Sequence, residues 1–172
     1  WQPRNLETQL HQFADAQGFD NYQDLWQWSV REKADFWDAV WQFSNIKAQN
    51  KGTIAFQQAD HMKDDLYFPE ARLNYAENLL QRRDNEIAIY FKAEDAITRQ
   101  LSYADLYNQV SQFAQSLIDA GVTKGDRVAG YMPNMPETII AMLAVTSLGA
   151  IWSSASPDFG VQGVIDRFGQ IE

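Results

Sequence analysis

A short stretch of small and hydroxyl-bearing residues, 153–160, is the part of the sequence best suited to binding a ligand. It follows an apolar strand-like segment and precedes a helical pattern over residues 161–168. Open α/β sheets bind ligands where parallel strands end, and the N-terminus of the next helix favours an anion. An ordinary strand-to-helix connection, capped by Ser156 or Asp158, explains the same pattern and remains the alternative. The candidate binding residues are Ser154, Ser156, Asp158, Phe159 and Gly160.

Familiar catalytic signatures are absent from the sequence. It has no Gly-x-x-x-x-Gly-Lys-Ser/Thr phosphate loop, no Gly-x-Gly-x-x-Gly fingerprint and no Gly-x-Ser-x-Gly elbow. Residues 60–65 combine one histidine with three aspartates, but a solvated turn fits them better, because zinc sites need ligands at a supporting spacing. We therefore expect neither a catalytic residue nor a metal ligand in this chain.

The composition is that of a globular protein and narrows the range of partners. Of the 172 residues, 45% are hydrophobic and 22% charged, and the net charge of −9 argues against nucleic acid or an anionic membrane as partner. The absence of cysteine excludes disulfides and thiolate metal sites and fits a reducing cytoplasm. No signal peptide or membrane-spanning run is visible. We expect a cytoplasmic protein that acts on small molecules.

The strongest structural signal is a strand–helix–strand pattern in the second half of the chain. Residues 127–132 are short, apolar and bounded by turn residues, as a buried strand should be, and residues 150–154 form a second such segment. The long apolar run between them predicts a helix. This spacing predicts a βαβ unit with a right-handed crossover, and hence an α/β fold with a mainly parallel sheet.

The ends of the predicted helix carry their own signals. Asn134 is expected to cap its N-terminus, with Glu137 three residues later and Pro136 in the first turn. Gly149 is expected to end it in the left-handed conformation that glycine adopts cheaply.

Two further elements precede this unit. Residues 86–91 and 97–101 alternate around turn residues 94–95, which predicts a hairpin. Ser102 begins a strong helix that Gly121 closes. One face of this helix is apolar: Leu106, Val110, Phe113 and Leu117.

Residues 1–82 are predicted to form a helical leader. It holds five of the six tryptophans: Trp1, Trp26, Trp28, Trp37 and Trp41. A first helix should carry Leu6, Leu10 and Phe13 and end at Gly18, and a second should begin with Tyr22, Leu25 and Trp26. Helices this short do not stand alone in water, so we expect them to pack on the downstream sheet.

The third and fourth leader helices have the clearest apolar faces. Ser29 and Glu32 match a capping box for the third. It carries Phe36, Val40 and Phe43 on one side, flanked by Trp37 and Trp41. This stripe favours packing in the core over a ligand platform. The fourth face comprises Leu73, Ala76, Leu79 and Leu80.

Several stretches resemble the N-terminal part of the adenylate-forming acyl-CoA synthetases. The widely shared ones are Gly-Asp-Arg-Val at 125–128, Pro-Asn-Met-Pro-Glu at 133–137 and Leu-Gly-Ala at 148–150. Residues 22–41 resemble the helical leader of the acetyl-CoA synthetase branch. Residues 68–80 and 151–160 look most like the acetoacetyl-CoA synthetase group. Acetyl-CoA synthetases usually carry a Gly-Gly-Phe-type loop in place of the second stretch.

This resemblance implies an acid–thiol ligase. A carboxylate and ATP, with Mg, give an acyl-adenylate and pyrophosphate, and coenzyme A then displaces AMP to form the thioester. The phosphate loop, the adenine-binding aspartate region and the catalytic lysine of the family lie downstream of the part matched here, so no catalytic residue is carried over. The loop at residues 154–160 corresponds to one near the pantetheine of coenzyme A, which makes the candidate residues coenzyme A-binding.

The resemblance also implies how the chain is organised. We expect the N-terminal portion of an acetoacetate–CoA ligase of lipid and ketone body metabolism, with leader 1–82 packed on the first part of a three-layer α/β/α subdomain, 83–172. The chain opens at Trp1 and stops where a doubly wound sheet would need another strand. Alone it is expected to be inactive and to bind no cofactor firmly. The alternatives are an acetate or propionate relative and a non-catalytic binding module.

Overall fold

The computed structural model describes residues 8–94 and 96–171. The chain forms two compact units, residues 1–73 and 74–172, each described separately below. The sequence put the boundary after residue 82, but a short helix that begins at Tyr75 packs inside the second unit. The division of the protein into domains stays a prediction. None of the helices in the described residues is long and apolar enough to cross a membrane.

Three helices begin the first unit: α1 (Gln9–Ala16), α2 (Tyr22–Arg31) and α3 (Lys33–Phe43). Side chains cap the first two. The hydroxyl of Thr8 accepts a hydrogen bond from the His11 N–H, and the amide oxygen of Asn21 accepts one from the Asp24 N–H. Each bond satisfies a first-turn donor that the helix itself leaves unpaired. The three leader helices are therefore confirmed, although Trp1 and Leu6 lie outside the described residues.

The capping box expected at Ser29 and Glu32 is wrong. Ser29 lies inside α2, and its hydroxyl donates to the carbonyl of Trp26 at 2.8 Å. Glu32 is the N-cap residue of α3, and within residues 8–94 no side chain caps this helix. The motif failed because α2 continues to Arg31, two residues beyond the serine.

Aromatic edges hold the three helices together. The buried ring of Phe13 on α1 meets Phe36 at 6.0 Å and Phe43 at 5.2 Å, both on α3. Trp28 on α2 contacts Phe36 at 5.6 Å and Phe19 at 5.1 Å. Edge-to-face pairs of this kind add to the stabilisation that burial already gives. The stripe on α3 thus packs against neighbouring rings, although none of its residues is fully buried.

A small antiparallel ladder completes the first unit. Strand β1 (Phe56–Gln57) pairs with β2 (Leu66–Tyr67), and one 3-10 turn, Met62–Asp64, lies between them. Asp65 accepts a hydrogen bond from the Ala59 N–H at 2.9 Å and lies 3.6 Å from the Nζ of Lys33. Across residues 8–94 and 96–171, no cluster of three acidic or imidazole side chains is placed to hold a metal ion.

The second unit contains a hairpin and a βαβ unit, as predicted. Its elements are α4 (Tyr75–Leu79), β3 (Ile87–Lys92), β4 (Thr98–Ser102), α5 (Tyr103–Asp119), β5 (Arg127–Tyr131), α6 (Pro136–Ser147), β6 (Ile151–Ala155) and α7 (Gly160–Phe168). β3 and β4 are antiparallel, and β5 and β6 are parallel. Asp95, expected in the hairpin turn, lies outside the described residues. The α/β class is confirmed, and the packing of the leader on the sheet stays a prediction.

Local signals at both ends of α5 and at the C-terminal end of α6 are also confirmed. The Ser102 hydroxyl accepts a hydrogen bond from the Asp105 N–H at 3.1 Å, and the Asp105 carboxylate accepts one from the Ser102 N–H at 3.2 Å. The Ser102 hydroxyl also donates to the Asp105 carboxylate at 2.6 Å, and this bond, followed by the one from the Ser102 N–H, lowers the pKa of Asp105. Gly121 follows α5 with φ of 87°, and Gly149 follows α6 with φ of 72°, both in the left-handed region.

The core of the second unit surrounds α6. Ile140, Leu143 and Ala144 of this helix pack with buried residues of α4, β4 and α5. Those partners are Ala76, Leu80, Leu101, Leu106 and Val110. Ala76 and Ala144 are completely buried, so small side chains lie where α4 approaches α6.

The predicted cap of α6 is wrong. The helix begins at Pro136 after Met135, and in the described residues no side-chain cap is formed there. The Glu137 carboxylate accepts two hydrogen bonds from the Arg99 guanidinium of β4, at 2.6 and 2.7 Å. Asn134 is not the cap because the helix begins one residue later than predicted, with Met135 at the N-cap position, and the carboxylate of Glu137 pairs with a residue 38 positions earlier in the chain.

The fourth predicted helix is shorter than its apolar pattern. Leu73 precedes α4, and Leu79 is half exposed, so only Ala76 and Leu80 of the expected face are buried. Asn74 caps α4 by accepting from the Glu77 N–H at 3.0 Å.

The same asparagine closes α6. Its Nδ2 donates to the carbonyl oxygens of Thr146 and Ser147 at 2.9 and 3.2 Å, which satisfies acceptors at the C-terminal end of that helix.

β5 is less buried than its apolar sequence suggests. Gly130 is its only buried residue, because the parallel sheet has two strands in the described residues and its outer faces are partly open. The Trp152 ring lies against Gly130, where a Cβ atom would collide with it. This pair ties the centres of β5 and β6 together.

Trp41 is expected to stabilise the first unit through its ring. It is half-buried and lies 4.6 Å from the Phe68 ring, with the Lys51 Nζ 5.8 Å above it. Because it is not fully buried, Trp41→Ala should cost about 1–3 kcal/mol, below the ~3–5 of a fully buried tryptophan. Denaturant unfolding followed by circular dichroism measures this. Trp26→Ala, at a 48% exposed ring, is the control and should change stability by less than ~0.5 kcal/mol. Equal midpoints for both variants would contradict this packing.

The Arg99–Glu137 pair predicts a dependence of stability on pH. Its hydrogen bonds to Arg99 lower the pKa of Glu137, outweighing partial burial, which raises it. The pair therefore contributes fully above the unfolded pKa of about 4.3, and its contribution is lost as pH falls through the lower folded pKa. Glu137→Gln should reduce the unfolding midpoint at pH 7, and this difference should shrink towards pH 3. Glu86→Gln has the same charge change without the arginine. A constant Glu137→Gln difference across this range would refute the linkage.

Candidate functional site

The carboxyl ends of β5 and β6 lie side by side. Tyr131 and Ala155 are paired at the end of the parallel ladder, and the Met132 N–H donates to the Ala155 carbonyl at 3.1 Å. After both strands the backbone leaves the sheet at the same edge, where ligands of open α/β sheets bind. The predicted ligand-binding stretch is therefore at the expected edge of the sheet.

The loop itself is shorter than predicted. β6 continues to Ala155, so Ser153 and Ser154 belong to the strand, and Ser154 is exposed on it. The connection to α7 comprises Ser156 and the 3-10 turn Pro157–Phe159. The strand extends further because its ladder with β5 continues to the Tyr131 pair.

Ser156 and Asp158 are bonded to each other. The Ser156 hydroxyl donates to the Asp158 Oδ2 at 2.8 Å and accepts from the Asp158 N–H at 3.4 Å. Ser156 therefore caps the 3-10 turn, as the alternative explanation of the sequence required. No described side chain, however, caps the N-terminus of α7 itself. Its first-turn N–H groups consequently present a positive dipole end that favours an anion.

Gly160 opens α7 with φ of 63° and ψ of 179°. This backbone conformation favours glycine strongly, because a Cβ atom is rarely tolerated at positive φ. A Cβ built here would meet no atom within 4 Å, so the space above the backbone is open. A slender ligand chain can therefore approach the backbone at this point.

Sequence reasoning missed two residues that contact the loop. The Tyr131 hydroxyl donates to the Pro157 carbonyl at 2.8 Å. The guanidinium carbon of Arg167 lies 3.7 Å from the centre of the Phe159 ring. A Cβ on Gly163 would lie only 2.9 Å from the Cβ of Phe159, so the glycine makes room for that ring. The spacing of Phe159, Gly163 and Arg167 at intervals of four was the available signal, since such residues share a helix face.

The groups with shifted pKa values lie outside this loop. At the opposite end of β5, the Asp126 carboxylate accepts from the Thr123 N–H at 2.6 Å, and this bond lowers its pKa. The loop has a hydroxyl, a carboxylate and backbone N–H groups to offer, but no base paired with a nucleophile among the described residues. These groups are suited to binding a ligand.

Open grooves are also present among the described residues. One, in the first unit, has a volume of about 570 Å³ and is lined by Trp37, Trp41, Tyr67 and Phe68 among others. The second, about 410 Å³, lies between α5 and α6 in the second unit. The first is lined mainly by aromatic and aliphatic side chains, and the candidate loop lines neither of these two grooves.

Comparison with known proteins finds similar CoA synthetases, both by sequence and by structure. Acetoacetyl-coenzyme A synthetase of Rhizobium meliloti (strain 1021) is 49% identical over 156 residues, covering 91% of this chain and 24% of that protein. Malonamoyl-CoA synthetase of Penicillium aethiopicum is 36% identical over 158 residues, covering 88% and 22%. The structure of acetoacetyl-CoA synthetase from Streptomyces lividans matches with a TM-score of 0.85 and 34% identity, covering 100% of this chain and 28% of that one.

The chain therefore spans about a quarter of the length of the relatives it matches. The family model described as AMP-binding enzyme matches residues 76–170, which include α4, both strand pairs and the candidate loop. Because this match covers more than half of the sequence, the chain belongs to the AMP-binding enzyme family.

Proposed function

We propose that this chain is the N-terminal portion of an ATP-dependent acetoacetate–CoA ligase of the cytoplasm. In the first half-reaction, a carboxylate oxygen attacks the α-phosphorus of ATP, which gives the acyl-adenylate and releases pyrophosphate. In the second, the sulfur of coenzyme A attacks the acyl carbonyl, loses its proton and displaces AMP. The observation that carries the proposal is the match to the Streptomyces lividans acetoacetyl-CoA synthetase over the whole chain.

The acid substrate is proposed to carry a second carbonyl group. Acetoacetate and malonamate, the acids implied by the names of the two sequence relatives, each have a carbonyl two carbons from the carboxylate carbon. Acetate and propionate have none. This shared chemistry supports acetoacetate over the shorter acids. A module with this fold but no catalysis remains the rival proposal.

The loop between β6 and α7 is proposed to face coenzyme A. Gly160 has open space above its backbone, Ser154 is small and exposed, and the Phe159 ring is half exposed. A pantetheine arm is a slender chain with amide groups and fits a path bordered by small side chains and backbone. Asp158 and Ser156 would shape this path through their mutual hydrogen bond.

ATP and Mg belong to the first half-reaction. Within the described residues no acidic cluster is placed to hold a metal ion, and Asp158 is bonded to Ser156. The proposed contribution of the loop between β6 and α7 is to the second half-reaction.

The proposed function is tested with the full-length protein that contains this chain. Acetoacetate should support both pyrophosphate–ATP exchange and thioester formation, with a kcat/KM about 10-fold or more above that of acetate, since a site built around a polar group discriminates strongly against ligands lacking it. Malonamate tests the breadth of the site. Residues 1–172 alone should release no pyrophosphate above a protein-free control. No exchange by the full-length protein with any acid would support the non-catalytic module.

A bulky side chain in the loop should separate the two half-reactions. In the full-length enzyme, Ser156→Trp should leave acetoacetate-dependent pyrophosphate exchange intact and raise the KM for coenzyme A about 10-fold or more, because the indole obstructs the path of the arm. Ser111→Trp, on the exposed surface of α5, is the control. If exchange and thioester formation instead decline together with the melting temperature, the loop only caps the turn.

A further inference from the structure

The loop between β6 and α7 is held from two sides by side chains that do not belong to it. On one side, Tyr131 at the end of β5 donates its hydroxyl hydrogen to the Pro157 carbonyl at 2.8 Å, across 26 positions of sequence. On the other, Arg167 in the last turn of α7 stacks on the Phe159 ring. The first contact fixes the backbone of the 3-10 turn, and the second fixes its only large side chain.

Each contact is supported by its surroundings. The ladder with β6 ends at Tyr131, so the backbone of this tyrosine is fixed and its side chain extends past the sheet edge. Arg167 donates from Nη1 to the Gly163 carbonyl at 3.3 Å, which orients the guanidinium plane over the ring. Gly163 provides the room for Phe159, since a Cβ there would crowd that ring.

The bonds inside the loop do not anchor it to the rest of the fold. Ser156 and Asp158 bond to each other, and the Phe159 N–H donates to the Ser156 carbonyl at 3.2 Å. These bonds set the shape of the turn and leave its position relative to β5 undetermined. The Met132 N–H holds Ala155 just before the turn, and the hydroxyl of Tyr131 connects the turn itself to the end of β5.

We propose that Tyr131 and Arg167 are positioning residues that clamp the loop and so set the width of the coenzyme A path. The inference rests on the proposed function. Tyr131 joins the carbonyl side of the turn to β5, and Arg167 pulls Phe159 back against α7. Together they keep the open space above Gly160 clear for the arm.

The clamp is tested first by amide hydrogen exchange in the full-length protein, without any ligand. Tyr131→Phe removes one hydroxyl, and Arg167→Lys keeps the charge while removing the planar group that stacks. In each variant the peptide covering residues 153–162 should exchange about 2- to 10-fold faster, the change that one ordinary hydrogen bond makes in a local opening equilibrium. Matched controls are Tyr90→Phe, at a 73% exposed ring on β3, and Arg31→Lys on α2.

Kinetics of the Tyr131→Phe/Arg167→Lys double variant test whether the clamp affects the binding of coenzyme A. We expect a rise of about twofold or more in the KM for coenzyme A, because binding must then order the loop. Pyrophosphate exchange should be unchanged. Unaltered exchange of the 153–162 peptide would overturn the clamp whatever the kinetics. Faster amide exchange with an unchanged KM for coenzyme A would instead overturn the proposed coenzyme A role and leave the clamp standing.

Discussion

The second unit depends on the burial of one helix. α6 has buried residues around much of its circumference: Ile140, Ala141, Leu143, Ala144 and Val145. A helix that is apolar all round must be covered on several sides, and α4, α5, β5 and β6 all contact it. Each fully buried large apolar side chain of this helix contributes about 1.5–3 kcal/mol. α4 can approach α6 closely because small alanine side chains, Ala76 and Ala144, lie in the core that these helices share.

Burial of α6 also fixes where the candidate loop lies. The helix connects β5 to β6, and its packing holds the two strands in parallel register from Arg127 with Ile151 to Tyr131 with Ala155. Both strands therefore end at one edge of the sheet. The hydroxyl of Tyr131 reaches the turn after β6 only because of this register. A ligand site at this edge thus follows from how the core packs, before any polar residue is considered.

Sequence reasoning predicted the elements whose signals are local. The hairpin β3–β4, the helix that begins after Ser102 and the left-handed Gly149 each involve residues close in sequence, where propensity and short-range hydrogen bonds decide. The βαβ unit was predictable for the same reason, because its apolar periodicity is continuous. Membership of the adenylate-forming family, inferred from short stretches, agrees with the match of the family model to residues 76–170.

The predictions that failed depended on contacts between distant residues. Glu137 pairs with Arg99 from another element instead of completing a cap with Asn134. Ser29 was read as a helix start although α2 continues through it, a choice that tertiary packing makes. Tyr131 was not recognised as a partner of the loop because its acceptor is the backbone carbonyl of Pro157. Every residue has a backbone carbonyl, so the sequence does not indicate which one accepts.

The β6–α7 loop is proposed to contact coenzyme A in a two-step ligase. The most direct measurement is amide hydrogen exchange of the wild-type full-length protein with each substrate in turn. Saturating coenzyme A should protect the peptide covering residues 153–162, whereas ATP with acetoacetate should leave it unchanged. The peptide covering β3 and β4 is the internal control. Protection by ATP and acetoacetate alone, or no protection by coenzyme A, would contradict the account.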